Sequence, residues 1–428
     1  MFKYRFSFVA LTDSANFEII SRLKEPIEEF VKDLLFIFAT INGEVITVES
    51  FQQNSDLLKE KIKTFTEKYK SILPQINGLP AYFRKLNTNE NLFFLPNMEL
   101  NTYDNLKLYN YLTAISEGRD FKKLQDQTKE LFENFFEQYN VDVFGDKRVS
   151  IGEPSKKKRV CRFCKNKRKN ISFSSRAHGI SEALGNKTII LHDECDQCNI
   201  EFSKTIESHI IQYLALFRSF YDIKGKAGSK KFKGKNFDIK NEDKLIISSY
   251  INDEELKNPE KHNNIRLVAQ DPLILQNIYK CLCKYFLSVI DPKYLDSFNK
   301  TIDWINRKLE TNKLPLIGEM LSYHSFSYQP KLTIYIRKNN NTQIPFAVGE
   351  FYFACKIFVF IIPFCNKDDR DFINEKDFKN YWNTFKHYNK SKGWVFNDYS
   401  DKSLREFKMN INIEMKDKTN IKKENGTK

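Results

Sequence analysis

Apolar and polar positions alternate along the chain with two different periods. Short apolar or alternating runs at Phe6–Leu11 and Glu44–Glu49 predict strands. Over Glu25–Phe38, Ser55–Lys70 and Asp120–Tyr139 the apolar residues recur every three or four positions, which predicts amphipathic helices. In the last of these, Leu124, Leu131, Phe135 and Phe136 share a face. After Asn199 a longer stripe appears, with Phe202, Ile206, His209, Ile210, Tyr213, Phe217 and Phe220 on one side of a helix. Lys244–Tyr250 and Asn264–Ala269 read as strands, Pro272–Ile290 as a largely apolar helix, and Tyr294–Leu309 as another. From Lys331 the period is that of strands: Lys331–Arg337, Ile344–Ala354, Ile357–Pro363 and Lys408–Met415. The expected fold class is α+β and multidomain.

Breakers divide this pattern. Gly152-Glu153-Pro154-Ser155 interrupts it, and the Gly- and Lys-rich stretch Lys224–Lys235 interrupts it again. The expected organisation is a mixed α/β accessory domain over 1–150, a central module over 151–236, an α/β domain over 237–415 and a polar, frayed tail over 416–428. The 1–150 and 237–415 regions carry no catalytic motif. A length of 428 residues with 41% hydrophobic content is ample for such domains and excludes large-scale disorder.

Charge changes the picture of the central module. Residues 156–235 hold 19 Lys/Arg against 7 Asp/Glu, so almost all of the chain's net charge of +14 lies there. Nine of the fourteen residues 156–169 are basic and none is acidic. A field so confined points to a polyanionic partner, most simply nucleic acid. The candidate phosphate contacts are Lys156, Lys157, Lys158, Arg159, Arg162, Lys165, Lys167, Arg168 and Lys169, with Lys230 and Lys231 from the second basic stretch. The plainer alternative is a solvated lysine surface.

The opening Met1–Arg5 lacks an export signal's apolar core, and Phe351–Phe364 is interrupted by Lys356 and too short to span a membrane. The expectation is a cytoplasmic protein with no membrane partner. In a reducing compartment paired cysteines are metal ligands before they are disulfides. Cys161/Cys164 and Cys195/Cys198 form two CxxC knuckles, a spacing that lets four thiolates meet one structural Zn2+. The 30 residues between the pairs read as a β-hairpin, with Ile171–His178 as one strand, Gly185-Asn186 in the connection and Thr188–Leu191 as the second strand. Cys281, Cys283, Cys355 and Cys365 read as buried thiols.

The order knuckle, hairpin ending its first strand in Ala177-His178, Leu184-Gly185-Asn186, second knuckle, Asn199 and helix resembles the HNH, or ββα-metal, endonuclease family, in its branch braced by a four-cysteine zinc. The resemblance covers about 161–221. It implies that His178 is the general base, that Asn199 binds a catalytic Mg2+ or Mn2+, and that the chain is a DNA-cleaving hydrolase, defence against foreign DNA being a frequent setting. The family position before the base, often an acid, holds Ala177, and its middle asparagine falls near Ile190. Glu182, His192, Asp193, Glu194, Glu207 and His209 are the nearby substitutes, Glu207 being the candidate further ligand of the catalytic ion. Each residue also has a plainer role: Asn199 as a helix N-cap, His209 as a core histidine, His178 as a structural one. The alternative for the whole is a catalytically inactive, zinc-dependent nucleic-acid-binding module. A third reading makes the flanking domains the site of a gating ligand or partner protein.

Overall fold

The computed structural model describes residues 1–42, 45–98, 100, 102–167, 171–225, 228, 231–241, 244–250, 264–322 and 326–412. The chain folds as a mixed α+β protein and divides into two compact units, 1–137 and 138–428. Among the described residues no helix is long and apolar enough to cross a membrane.

The first unit is built on a four-stranded antiparallel sheet in the order Ser14–Ser21, Phe2–Ala10, Asn91–Pro96, Phe51–Gln53. Phe6, Phe8 and Phe94 alternate onto its inner face and are fully buried. Helices Glu25–Ile37 and Asp56–Tyr69 cover that face with Phe30, Leu34, Ile62 and Phe65. Ser55 caps the second helix, its hydroxyl accepting the Leu58 amide. Both helices, the helix Phe121–Gln138 and the strand Val45–Val48 follow the pattern of apolar positions.

The second unit centres on one helix, Leu275–Val289, against a six-stranded antiparallel sheet. The sheet order is Val395–Asn397, Ile317–Leu321, Lys356–Ile361, Ala347–Ala354, Ser327–Arg337, Tyr139–Phe144. Tyr279 donates its hydroxyl to the Ile361 carbonyl, and Tyr285 packs on Phe351 with ring centroids 5.6 Å apart. Apart from Leu275 and Asn277, every residue of this helix is buried, as its nearly continuous apolar surface requires. Its other side meets the helix Glu207–Tyr213 and the cysteine segment.

Two expected elements are cut short. The strand expected over Ile171–His178 is only Ala177–His178, because the amides of Ser174 and Ser175 go to the Asp196 carboxylate rather than to a neighbouring strand. The single helix expected after Asn199 is three: Asp196–Thr205, Glu207–Tyr213 and Ala215–Phe220, broken at the buried Ile206 and Leu214. Strand Val149–Ile151 joins the hairpin, running parallel to Ile189–Leu191, so the boundary expected at 150 falls inside it. Residues from the expected central module and C-terminal domain share one hydrophobic core. The expected tail, 416–428, lies outside the described residues.

Candidate functional site

The four cysteines converge. Cys161, Cys164, Cys195 and Cys198 place their sulfurs within 4.8 Å of one another. Cys161 Sγ lies 3.8 Å from Cys198 Sγ, and Cys164 Sγ 3.8 Å from Cys195 Sγ. Four sulfurs bound tetrahedrally at a Zn–S distance of about 2.3 Å would stand about 3.8 Å apart. The spacing is therefore that of a site for one thiophilic ion. Backbone amides point at the sulfurs, Cys195 N–H to Cys161 Sγ (3.5 Å) and Cys198 N–H to Cys195 Sγ (3.4 Å). Hydrogen bonds from Cys161 and then Cys198 pull the Cys195 thiol down, and the matching contacts from Cys161 and then Cys195 push the Cys198 thiol up, so the sulfurs titrate as one coupled cluster. The other four cysteines are free and buried. Among the described residues no second group of three His, Cys, Asp or Glu side chains stands close enough to share an ion.

Between the knuckles lies the hairpin. His178 ends its first strand and sits directly opposite Ile190, with Ala177 opposite Leu191. The His178 side chain is 11% exposed, and its Nδ1 is 3.8 Å from Glu182 Oε2. Burial lowers the His178 pKa, and Glu182 opposes this, so the imidazole is neutral at neutral pH. Asn186 pins the connection. Fully buried, it donates to the carbonyls of Ile180 and Ile189 and accepts from the amides of Thr188 and Ile189. No amide stands at 190; this one ties the turn after the first strand, at Ile180, to the start of the second, at Ile189. Its signal in the sequence was only an asparagine after a glycine, here Gly185 in the left-handed region.

Asn199 is on the first turn of Asp196–Thr205, and the N-cap is Cys195, so Asn199 does not cap this helix. Its side chain is half-buried and makes no hydrogen bond to the described residues. His209 is a structural histidine, since its Nδ1 accepts the Ile274 amide at 3.2 Å. His192 is half-buried, its pKa lowered by burial and then by Arg159. The acids are committed elsewhere. Asp193 forms a buried two-pronged pair with Arg162 (2.9 Å at each oxygen). Glu207 and Glu194 both face Lys284 Nζ, at 3.0 and 3.2 Å. Burial pushes Glu194 up to about 7 against the pull of Lys284. Gly152, at φ +89°, must be glycine, because a Cβ there would come within 2.5 Å of the Asp193 carboxyl.

The basic run separates into two kinds of residue. Lys156, Lys157, Lys158, Lys165 and Lys167 are exposed, Lys165 lying 3.7 Å from Asp296. Arg159 and Arg162 are corrected from phosphate contacts to internal braces. Arg159 donates to the carbonyls of Glu153 and Pro154, and Arg162 donates to those of Leu287 and Ser288 besides its pair with Asp193. The reason is geometric, because both guanidinium groups are buried and find backbone carbonyls within reach of their planar fork. Lys231 is exposed and paired with Asp238 (2.9 Å). Arg168, Lys169 and Lys230 lie outside the described residues. Arg176, exposed and close enough to influence both His178 and His192, went unnoticed in the sequence because it stands outside the two basic runs. A cavity of about 310 Å³ lined by Lys300, Lys313, Phe364, Arg370 and Phe372 includes none of the candidate residues. No family model matches the chain, nor does any curated protein or solved structure.

Proposed function

We propose that the second unit is a metal-dependent endonuclease of the HNH type, cleaving phosphodiester bonds of DNA around a structural zinc. The observation that carries this reading is the order in space. Two knuckles with tetrahedral sulfur spacing enclose a hairpin whose first strand ends in a neutral histidine, and a helix leaves from the last cysteine. A neutral His178 can take a proton from an attacking water. Asn199, with a free amide one position past Cys198, is the candidate ligand of the catalytic ion. When bound, Mg2+ or Mn2+ would supply stabilisation of the phosphate charge and of the leaving 3′ oxygen. The exposed lysines from Lys156 to Lys167 would hold neighbouring phosphates.

A second reading has its own support. Ala177 offers no ligand, and Glu207 is tied to Lys284. That combination favours a zinc-braced nucleic-acid-binding module without catalysis.

Plasmid nicking by the full chain with Mg2+ or Mn2+ separates the two. His178→Ala should lower cleavage by about 10²–10⁴-fold, the usual worth of a general base, while zinc content and DNA affinity hold. Cleavage by His178→Ala at the wild-type rate would remove the base assignment. Binding without cutting by the wild type would select the second reading.

A further inference from the structure

Lys284 stands in the middle of the helix Leu275–Val289, and its side chain has no exposure. An ammonium has three N–H donors and accepts nothing. Here Nζ donates to the carbonyl oxygen of His178 (3.3 Å) and to Glu207 Oε1 (3.0 Å), and it lies 3.2 Å from Glu194 Oε2. The contact with Glu194 is a buried ion pair. An unpaired buried ammonium would cost several kcal/mol, so the two carboxylates account for its presence. They do not account for the third contact, which falls on the one carbonyl that belongs to the candidate base.

The surroundings make that contact specific. Gly179, the next residue, fits closely within the hairpin, where a Cβ would come within 2.7 Å of Ile189 Cγ2, and it faces the central helix at ordinary contact distance, 3.6 Å from Ser288 Cβ. The helix is braced at both ends as well. Near its start, Asn277 donates to the Thr205 carbonyl and the Ile274 amide reaches His209. At its end, Arg162 takes the carbonyls of Leu287 and Ser288. The point from which Lys284 projects is thus fixed against the cysteine segment.

We propose that Lys284 is the positioning residue of the site: its ammonium fixes the His178 carbonyl and ties the strand Ala177–His178 to Glu194, beside the second knuckle, and to Glu207. The kinetic consequence rests on the reading of His178 as a base, while the mechanical one does not. Helix Leu275–Val289 then completes the site from a part of the sequence about a hundred residues away, and whatever shifts that helix moves the base.

The test uses the full chain with Lys284→Met combined with Glu194→Gln and Glu207→Gln. This set removes the buried cation together with both carboxylates that face it, so no buried charge is left without a partner. Amide exchange read by mass spectrometry should rise roughly tenfold in the peptide covering 176–180, as for an eased local opening. Peptides of the sheet at 347–361 should keep wild-type protection, and zinc content should be unchanged. Cleavage should lose about 10- to 100-fold in kcat at constant KM for DNA. Wild-type exchange at 176–180, or an equal rise in the sheet peptides, would overturn the role. If the wild type cuts nothing, the nuclease reading falls, and the exchange comparison still decides what Lys284 does.

Discussion

At the scale of single residues, the site turns on which ionisable groups are free. Burial lowers the His178 pKa and disfavours imidazolium, while Glu182 at 3.8 Å pulls the other way. A base must be neutral to work, so the acid limb of kcat/KM should lie below the ordinary histidine value of about 6.5. Glu182→Gln removes the opposing carboxylate and should move that limb to still lower pH. A pH–rate profile of both proteins checks this, and a limb at or above 6.5, or one indifferent to Glu182, would refute it. The same shift enters stability with a definite sign. Between the folded pKa and 6.5 the unfolded chain binds more protons, so this contribution is complete above 6.5 and is lost as pH falls through the folded value. The four cysteines were legible in the sequence because their spacing is their geometry. The fate of the arginines was not, since a basic run says nothing about which side chain finds backbone carbonyls within reach. Lys284 was hidden for the opposite reason, as one lysine inside an apolar helix whose partners lie from 77 to 106 residues earlier.

At the scale of elements, periodicity located the helices Glu25–Ile37, Asp56–Tyr69, Phe121–Gln138 and Leu275–Val289 and the strands Ser327–Arg337, Ala347–Ala354 and Lys356–Ile361 within a few residues, and it missed the helices Thr102–Glu117 and Glu375–Thr384 and the strand Ser14–Ser21. It failed where side chains compete for backbone groups. Asp196 shows the mechanism: burial raises its pKa, but the Ser172 hydroxyl and the Ser174 and Ser175 amides hold it at about 2, and those amides are lost to the expected strand. Short strands such as Val149–Ile151 and Val395–Asn397 offer too few positions for any period to show. Cys195 joins two element-level roles, as an expected zinc ligand and as the N-cap of Asp196–Thr205, where its sulfur accepts the Cys198 amide. Two substitutions separate them. Cys195→Ser keeps a capping atom and Cys195→Ala removes it, yet each leaves three thiolates. Purified wild type should carry about one zinc per chain, and both variants should lose most of it. Cys195→Ala should be the less stable of the two by about 1 kcal/mol, the usual worth of a cap. Metal analysis and thermal melting read both quantities, and full zinc occupancy in either variant would dismiss the four-cysteine site.

At the scale of the whole molecule, the breaker residues suggested a central module able to fold between two flanking domains, and the packing argues for a different unit of folding. Phe163, Ile180, Leu191, Phe202 and Ile210 belong to the same core as Tyr279, Tyr285, Phe351 and Phe358. A fragment of 151–236 would expose that face and lose Lys284, the cation that Glu194 and Glu207 share. The zinc adds cross-links but supplies no cover for this area. Residues 138–412, by contrast, keep the core, the six-stranded sheet with its edge strand Tyr139–Phe144, and the brace from Arg162 to the end of the central helix. The first unit has its own aromatic core around Phe6, Phe8, Phe30 and Phe94. Expressed separately, 138–412 should therefore be soluble, hold about one zinc and melt cooperatively, and 1–137 should fold without metal. The 151–236 fragment should bind zinc yet lack a cooperative transition and expose apolar surface to a hydrophobic dye. Cooperative melting of 151–236 alone would show that the knuckles and hairpin are self-sufficient and that the central helix is a neighbour rather than part of the site. Failure of 138–412 to fold would mean that the first unit contributes to the second in a way its separate core does not reveal.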